Sequence, residues 1–190
     1  MSDSFSFTKP LWRIIKDKKL VETPIFDLQE KHLDAPGQSV NHPFYVLNAP
    51  DWINIIALTD DNPEKIVLVE QYRAGTHETT LEIPGGMVDD GEDPLSAARR
   101  ELIEETGFES DSWTSMGTVS SNPAILSNHT HLFLAKDCIK TAEQSTDGSE
   151  DITVHLTDLD HFLSLTADGT VHHAIVVAAV GRFLLHQRNY

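Results

Sequence analysis

The sequence predicts an α+β fold: an α/β/α sandwich around a mixed sheet, preceded by an N-terminal β-hairpin. Three observations carry this. Before residue 90 the chain is a series of short segments rich in β-branched and aromatic residues; one well-capped helical segment follows; strands then resume ahead of a final apolar helix. The 190 residues suffice for one substantial core and an extension. We expect residues 1–43 to form the extension and 44–190 the main domain.

In order along the chain, "WRIIKDKKLVETPIFDL" alternates apolar and polar residues around a turn-like "KDKK", which predicts a hairpin from Trp12 to about Leu28. "QEKHLDAPGQSVNHP" reads as a polar break. "FYVLN", "INIIALT", "KIVLVEQY" and "TTLEIP" are strand segments separated by turn chemistry such as "DDNPE". From Asp93 to Thr106 the signals change: Asp93 can cap, Pro94 suits the first helical position and Gly107 suits the position after the last turn. "WTSMGTV", "THLFLAK" and "ITVHLT" resume the strands, and "VHHAIVVAAVGRFLLHQ" reads as a mostly buried helix.

The formal net charge of −16 would repel a phosphate backbone, so nucleic acid is not an expected partner, while a small anion brought in with divalent cations is compatible with it. The single cysteine, Cys138, cannot form an internal disulfide, and we read it as a structural thiol. The first residues lack a signal-peptide pattern, and "AIVVAAVGRFLL" is too short and too charged, with Arg182, to span a bilayer. The expected compartment is the cytoplasm.

On the helix, Glu101, Glu104 and Glu105 fall within an arc of about 100°, shared with Pro94, Ala97 and Ala98. Small residues there leave room for an approaching group. Carboxylates three and four apart repel, and acid near a helix C-terminus opposes the macrodipole. Only Arg100 offers an i,i+4 partner, to Glu104 and in the weaker orientation. The arrangement points to a missing hard cation, Mg²⁺ or Mn²⁺, held by oxygen ligands, with the glycine-rich "PGGMVDDGE" bringing backbone carbonyls close.

From Gly86 the sequence reads Gly, five residues, Glu92, seven residues, then "RELIEETGF". This resembles the complete Nudix box, G-x5-E-x7-R-E-U-x-E-E-x-G-U, met at Gly86, Glu92, Arg100, Glu101, Leu102, Glu104, Glu105, Gly107 and Phe108. The resemblance implies a Nudix-type sandwich and metal-dependent hydrolysis of a nucleoside diphosphate linked to another group. It implies Glu101, Glu104 and Glu105 as metal ligands with the carbonyl of Gly85 or Gly86, and a Glu92–Arg100 pair holding loop to helix.

"VLVEQYRAGTHETTLEIPGG" is similar to the ADP-ribose and nucleoside diphosphate sugar pyrophosphatases, with Arg73 and Glu82 at the matching positions. The similarity runs from about Ile53 to Leu185. Arg73 would grip phosphate oxygens, and Glu82 would bind a ribose hydroxyl or a metal; a plain ion pair is the alternative for Arg73. The subgroup places its general base on an acidic loop before a strand. Here that loop reads Gly148, Ser149, Glu150, Asp151, lacking the first glutamate of the subgroup's pattern, so Glu150 is the candidate base, with Glu143 and Asp151 behind it. Trp12 and Trp52 are candidate stacking platforms for a nucleobase, or else core or dimer contacts. The N-terminal strands of the subgroup pair two subunits, which implies a homodimer. His129 and His131 read as polar residues on a partly exposed strand, and His172 and His173 show no partner pattern. The alternatives are removal of pyrophosphate from RNA 5′ ends and a ligand-sensing protein without turnover.

Overall fold

The first turn of the chain is built by Thr23 and Pro24. The Thr23 hydroxyl accepts the Phe26 N–H at 3.0 Å, while the Thr23 N–H donates to the Phe26 carbonyl at 3.1 Å. Pro24 has no N–H to lose and a preset φ. This closes a hairpin between β1 (Arg13–Glu22) and β2 (Asp27–Asp34), which pair antiparallel. The turn expected at "KDKK" is therefore misplaced: Lys16–Lys19 lie within β1. They contain no glycine or asparagine to open a tight turn, and the ladder matches their charges, with Asp17 opposite Lys31 and Lys18 opposite Glu30. For the same reason "QEKHLD" is the body of β2 rather than a polar break.

The computed structural model describes residues 6, 8, 11–37, 39–40, 42–145 and 151–188, and these divide into two units. The first runs to Ala49 and takes in Asn122–Ser127. Its sheet has the order β1-β2-β3, with β3 (Phe44–Asn48) lying beyond the boundary drawn at residue 43. The far edge of β3 is covered by 122–127, through Leu47 N–H to Ile125 O at 2.8 Å and Ser127 N–H to Leu47 O at 3.1 Å. β1 is the open edge, and its Ile14, Ile15 and Val21 are exposed, Ile15 at 67%.

The second unit holds the mixed sheet. Its strands are β4 (Trp52–Thr59), β5 (Ile66–Arg73), β6 (Glu78–Glu82), β7 (Phe108–Glu109), β8 (Ser112–Val119), β9 (Thr130–Lys140) and β10 (Ile152–Thr157). The order is β10-β5-β4-β9-β7, with β6 also beside β5 and β8 beside β9; β4 and β9 run parallel and the other pairs antiparallel. β4 alternates sides as a two-faced central strand must. Ile53, Ile55 and Ala57 pack with Ala97, Ala98 and Leu102 of α1 (Pro94–Thr106); Ile56 and Leu58 pack with Phe162 of α2 (Leu159–Ala167) and with Val176 and Phe183 of α3 (Ala174–Gln187). The sheet is thus covered by helices on both faces, the expected sandwich.

α1 begins and ends where its signals place it. Asp93 accepts the N–H groups of Leu95 and Ser96, and Gly107 takes φ +75°. A Cβ at Gly107 would also lie 2.1 Å from the Ala142 carbonyl oxygen, so only glycine fits. α2 is absent from the sequence reading. It is nine residues long, and its apolar residues continue the pattern of the strand before it.

β5 touches β4 only near Leu58 and Ile66 and then diverges. The vacated edge of β4 is taken by the segment after β6: Ile53 N–H donates to Gly86 O and Ile55 N–H to Pro84 O, both at 2.9 Å. The glycine loop is thereby bonded to the central strand and faces α1.

Candidate active site

Two close approaches bring the glycine loop onto α1. A Cβ on Gly86 would lie 2.2 Å from the Glu101 carboxyl carbon, and one on Gly85 would lie 2.5 Å from the Ile53 carbonyl oxygen. The Gly85 N–H donates to Glu105 at 3.0 Å. Gly86 O is already engaged by Ile53, which leaves Gly85 as the better carbonyl candidate of the two.

Arg100 directs all five of its N–H groups at this region. Nε and Nη2 bond Glu92 at 3.2 and 2.9 Å, Nη1 bonds Glu101 at 2.8 Å and Glu104 at 3.3 Å, and Nη2 also reaches the Met87 carbonyl at 3.1 Å. Glu92 thus pairs with Arg100 as the resemblance implied. Its guanidinium, beside Glu92 above all, holds the Glu92 carboxyl below the usual range, while the same contact raises Arg100 above its own.

Two expectations about the acidic arc change. Arg100, expected to partner Glu104 and, from the resemblance, Glu92, also neutralises part of the charge on Glu101. Ala97 and Ala98 do not open the arc to approach; they are fully buried and let α1 sit close on the sheet. Glu105, 3% exposed, turns inward with them.

For a divalent cation the donor chemistry fits: three carboxylates, a nearby backbone carbonyl and a glycine whose missing side chain makes room for Glu101. Among the described residues no three acidic, imidazole or thiol groups are gathered into a coordination geometry. Arg100 Nη1 is the positive group that Glu101 and Glu104 share.

Three residues before Gly85, Glu82 is 1% exposed and joins a second cluster. Arg73 forks onto it, Nε to Oε1 and Nη2 to Oε2, both at 2.7 Å. The Thr80 hydroxyl donates to Oε1 at 2.6 Å and His173 Nδ1 to Oε2 at 2.8 Å. Four donors match the four lone pairs of a carboxylate. In this geometry Glu82 holds Arg73. The Arg73 side chain keeps 41% of its surface exposed.

His172 and His173 are the residues the sequence reading missed. His172 Nε2 lies 3.1 Å from Glu78. The one signal was Glu78 and Glu82, four apart on β6 and hence on one face, ahead of two successive histidines. His131, 2.9 Å from Asp51, and His129, whose N–H bonds the same carboxylate at 2.8 Å, are structural. Burial pushes the Cys138 thiol up to about 12, which fits its reading as inert.

Glu150 lies outside the described residues. Before it, Ser145 N–H bonds the Glu104 carbonyl at 2.9 Å, and Gln144 Nε2 bonds the carbonyls of Glu105 at 2.6 Å and Ile152 at 3.2 Å. The stem of that loop thus rests on the last turn of α1. Glu143 and Asp151 are exposed. Trp52 opens β4, where it bridges Met87. Trp12 belongs to the first unit and meets Phe44 edge-on at 6.0 Å. A cleft of about 550 Å³ lined by Arg99, Ile103, Trp113 and Asp137 contains none of the candidate residues, because Arg99 and Ile103 project from the opposite side of α1.

The model of the NUDIX domain family matches residues 51–180. The methanol dehydrogenase activator of Bacillus methanolicus is 32% identical over 88% of this chain and 90% of its own length. An ADP-ribose pyrophosphatase of Bacillus subtilis is 26% identical over the same shares. The crystal structure of an ADP compounds hydrolase superposes with a TM-score of 0.78 at 24% identity, covering 96% of each chain, and shares the fold.

Burial works to raise the Glu82 pKa, but hydrogen bonds from Arg73, His173 and Thr80 outweigh it and hold the carboxyl well below the ordinary 4.5. A depressed folded pKa contributes stability that is complete above the unfolded value and is lost as pH falls toward the folded one. The stability difference between wild type and Glu82→Gln should be constant from about pH 6 upward and should narrow as pH falls below 4.5. Urea denaturation across pH 3–7 measures it; a difference that does not narrow would reject the depressed pKa.

Proposed function

The chain belongs to the Nudix family, and from that premise we propose that it hydrolyses the diphosphate bond of ADP-ribose or a related nucleoside diphosphate sugar, such as GDP-mannose. The products are a nucleoside monophosphate and a sugar phosphate. The observation that carries this reading is the glycine loop bound to the carboxylate helix, with Arg100 fixing Glu92, Glu101 and Glu104 in one network. The pyrophosphatase named among the relatives supports the substrate class.

Glu101, Glu104, Glu105 and the Gly85 carbonyl would hold the cation, Mg²⁺ or Mn²⁺, since all are hard oxygen donors. A bound divalent ion supplies Lewis acidity to the diphosphate and lowers the pKa of a bound water. Glu104 has the longest of the Arg100 contacts to these carboxylates, at 3.3 Å, and is the one most readily exchanged. Arg73 binds the phosphates with its fork already aligned by Glu82. Trp52 and Trp12 are proposed to stack on the nucleobase. Glu150 is proposed as the general base, because its loop begins at the carbonyl of Glu104 and ends at β10. A cytoplasmic location accords with a single buried thiol.

Activity should vanish in excess EDTA and return with Mg²⁺. Glu104→Gln and Glu105→Gln should each lower kcat by about 10²-fold or more, and Glu150→Gln should lower kcat while calorimetric binding of a non-hydrolysable analogue is kept. A panel of sugar nucleotides with product identification reads the substrate class; full rates in EDTA would sink the metal reading, and a Glu150→Gln enzyme at full kcat would remove the base.

We also propose a homodimer formed through β1. Ile14, Ile15 and Val21 are exposed on an edge strand, an arrangement that invites pairing unless it is covered. Light scattering at micromolar concentration should give twice the chain mass, and a monomer mass refutes it.

A second reading is favoured by the relative named as a methanol dehydrogenase activator, which matches most of this chain. In it, the same hydrolysis serves to stimulate a dehydrogenase. Adding the protein and Mg²⁺ to the Bacillus methanolicus methanol dehydrogenase should then raise its rate, and Glu104→Gln should not; no stimulation by wild type rejects this reading.

A further inference from the structure

The Arg73–Glu82 fork has a third member from a distant part of the chain. Arg73 comes from β5, Glu82 and Thr80 from β6, and His173 from the residue that precedes α3, 91 positions after Glu82. Each carboxylate oxygen accepts one bond from Arg73 and one from another residue: Thr80 on Oε1, His173 on Oε2. The carboxylate accepts only, so the Nδ1 of His173 carries the proton and donates.

We propose that His173 is a positioning residue for the reaction: by anchoring Oε2 it fixes the plane of Glu82, and so the plane in which the Arg73 guanidinium meets the substrate phosphates. The proposal rests on the reading of Arg73 as the phosphate contact. Without His173, Oε2 keeps only the Arg73 Nη2 while Oε1 keeps two donors. The carboxylate then turns toward Thr80 and the fork turns with it. With His173 in place Glu82 is 1% exposed, and a water entering the space left by the truncated side chain has no fixed direction from which to hold Oε2. A planar guanidinium recognises a diphosphate by its direction as well as its charge, so a tilted fork weakens binding.

A merely structural role, tethering the start of α3 to β6, predicts something else. The neighbouring His172 tethers the same turn through Glu78 at 3.1 Å without touching Glu82. Its removal should therefore loosen the helix start as much, yet leave the fork aligned.

The test is steady-state kinetics on ADP-ribose with Mg²⁺. His173→Ala should raise KM about tenfold with kcat little changed, the scale of a hydrogen bond to a charged group. His173→Asn, whose amide nitrogen stands near the place of Nδ1, should recover most of that loss, whereas His173→Gln should not. His172→Ala should leave KM near wild type. Should His173→Ala fail to fold, the Asn and Gln variants carry the same comparison. Wild-type KM in His173→Gln, or an equal rise in His172→Ala, overturns the proposal while a raised KM in Arg73→Ala leaves the phosphate reading standing. An unchanged KM in Arg73→Ala removes both.

Discussion

The rest of the site depends on the saturation of one guanidinium. Arg100 has five N–H groups, and they go to Glu92 twice, to Glu101, to Glu104 and to the Met87 carbonyl. The first two and the last tie the loop to the helix; the middle two offset the mutual repulsion of the helix carboxylates. A lysine has three donors and no plane, and would have to give up one of these tasks. The loop could then no longer be held in place by the residue that also offsets the charge beside it.

A second fork of the same kind lies on the other side of the glycines. Glu82 is three residues before Gly85 and Glu92 six after Gly86, and each carboxylate is held by an arginine from another element. The intervening segment is bonded to β4 and to Glu105. The two forks differ in setting. Glu82 is buried and receives four donors, which hold it ionised, whereas Arg100 is partly exposed and serves several acids. The first suits a fixed recognition element; the second suits a charge balance that can be exchanged.

Much of this was legible in the sequence where a local rule decides. The caps of α1, the β-branched run of β4 and the spacing from Gly86 to Phe108 each depend on neighbouring residues, and the structure follows them. The misreadings came where distant residues decide. Lys16–Lys19 look like a turn until β2 is set beside them with opposite charges. The alanines of α1 look like open space until the sheet is placed against them. His173 looks idle, because its partner is 91 positions away and nothing near it in sequence forecasts an acid. α2 was missed because nine residues allow little more than two turns in which to show a period.

The exchange of partners along β4 has a dynamic consequence. Because Pro84 and Gly86 carry the hydrogen bonds that a neighbouring strand would otherwise make to Ile53 and Ile55, the glycine loop can open only by breaking bonds of the central strand. Its amplitude of fluctuation is therefore that of the sheet interior, and its opening belongs with sub-global unfolding rather than with loop motion. Any larger motion beside the carboxylate helix then has to come from segments that carry no such bonds to β4, and the glycine loop keeps its register on that helix.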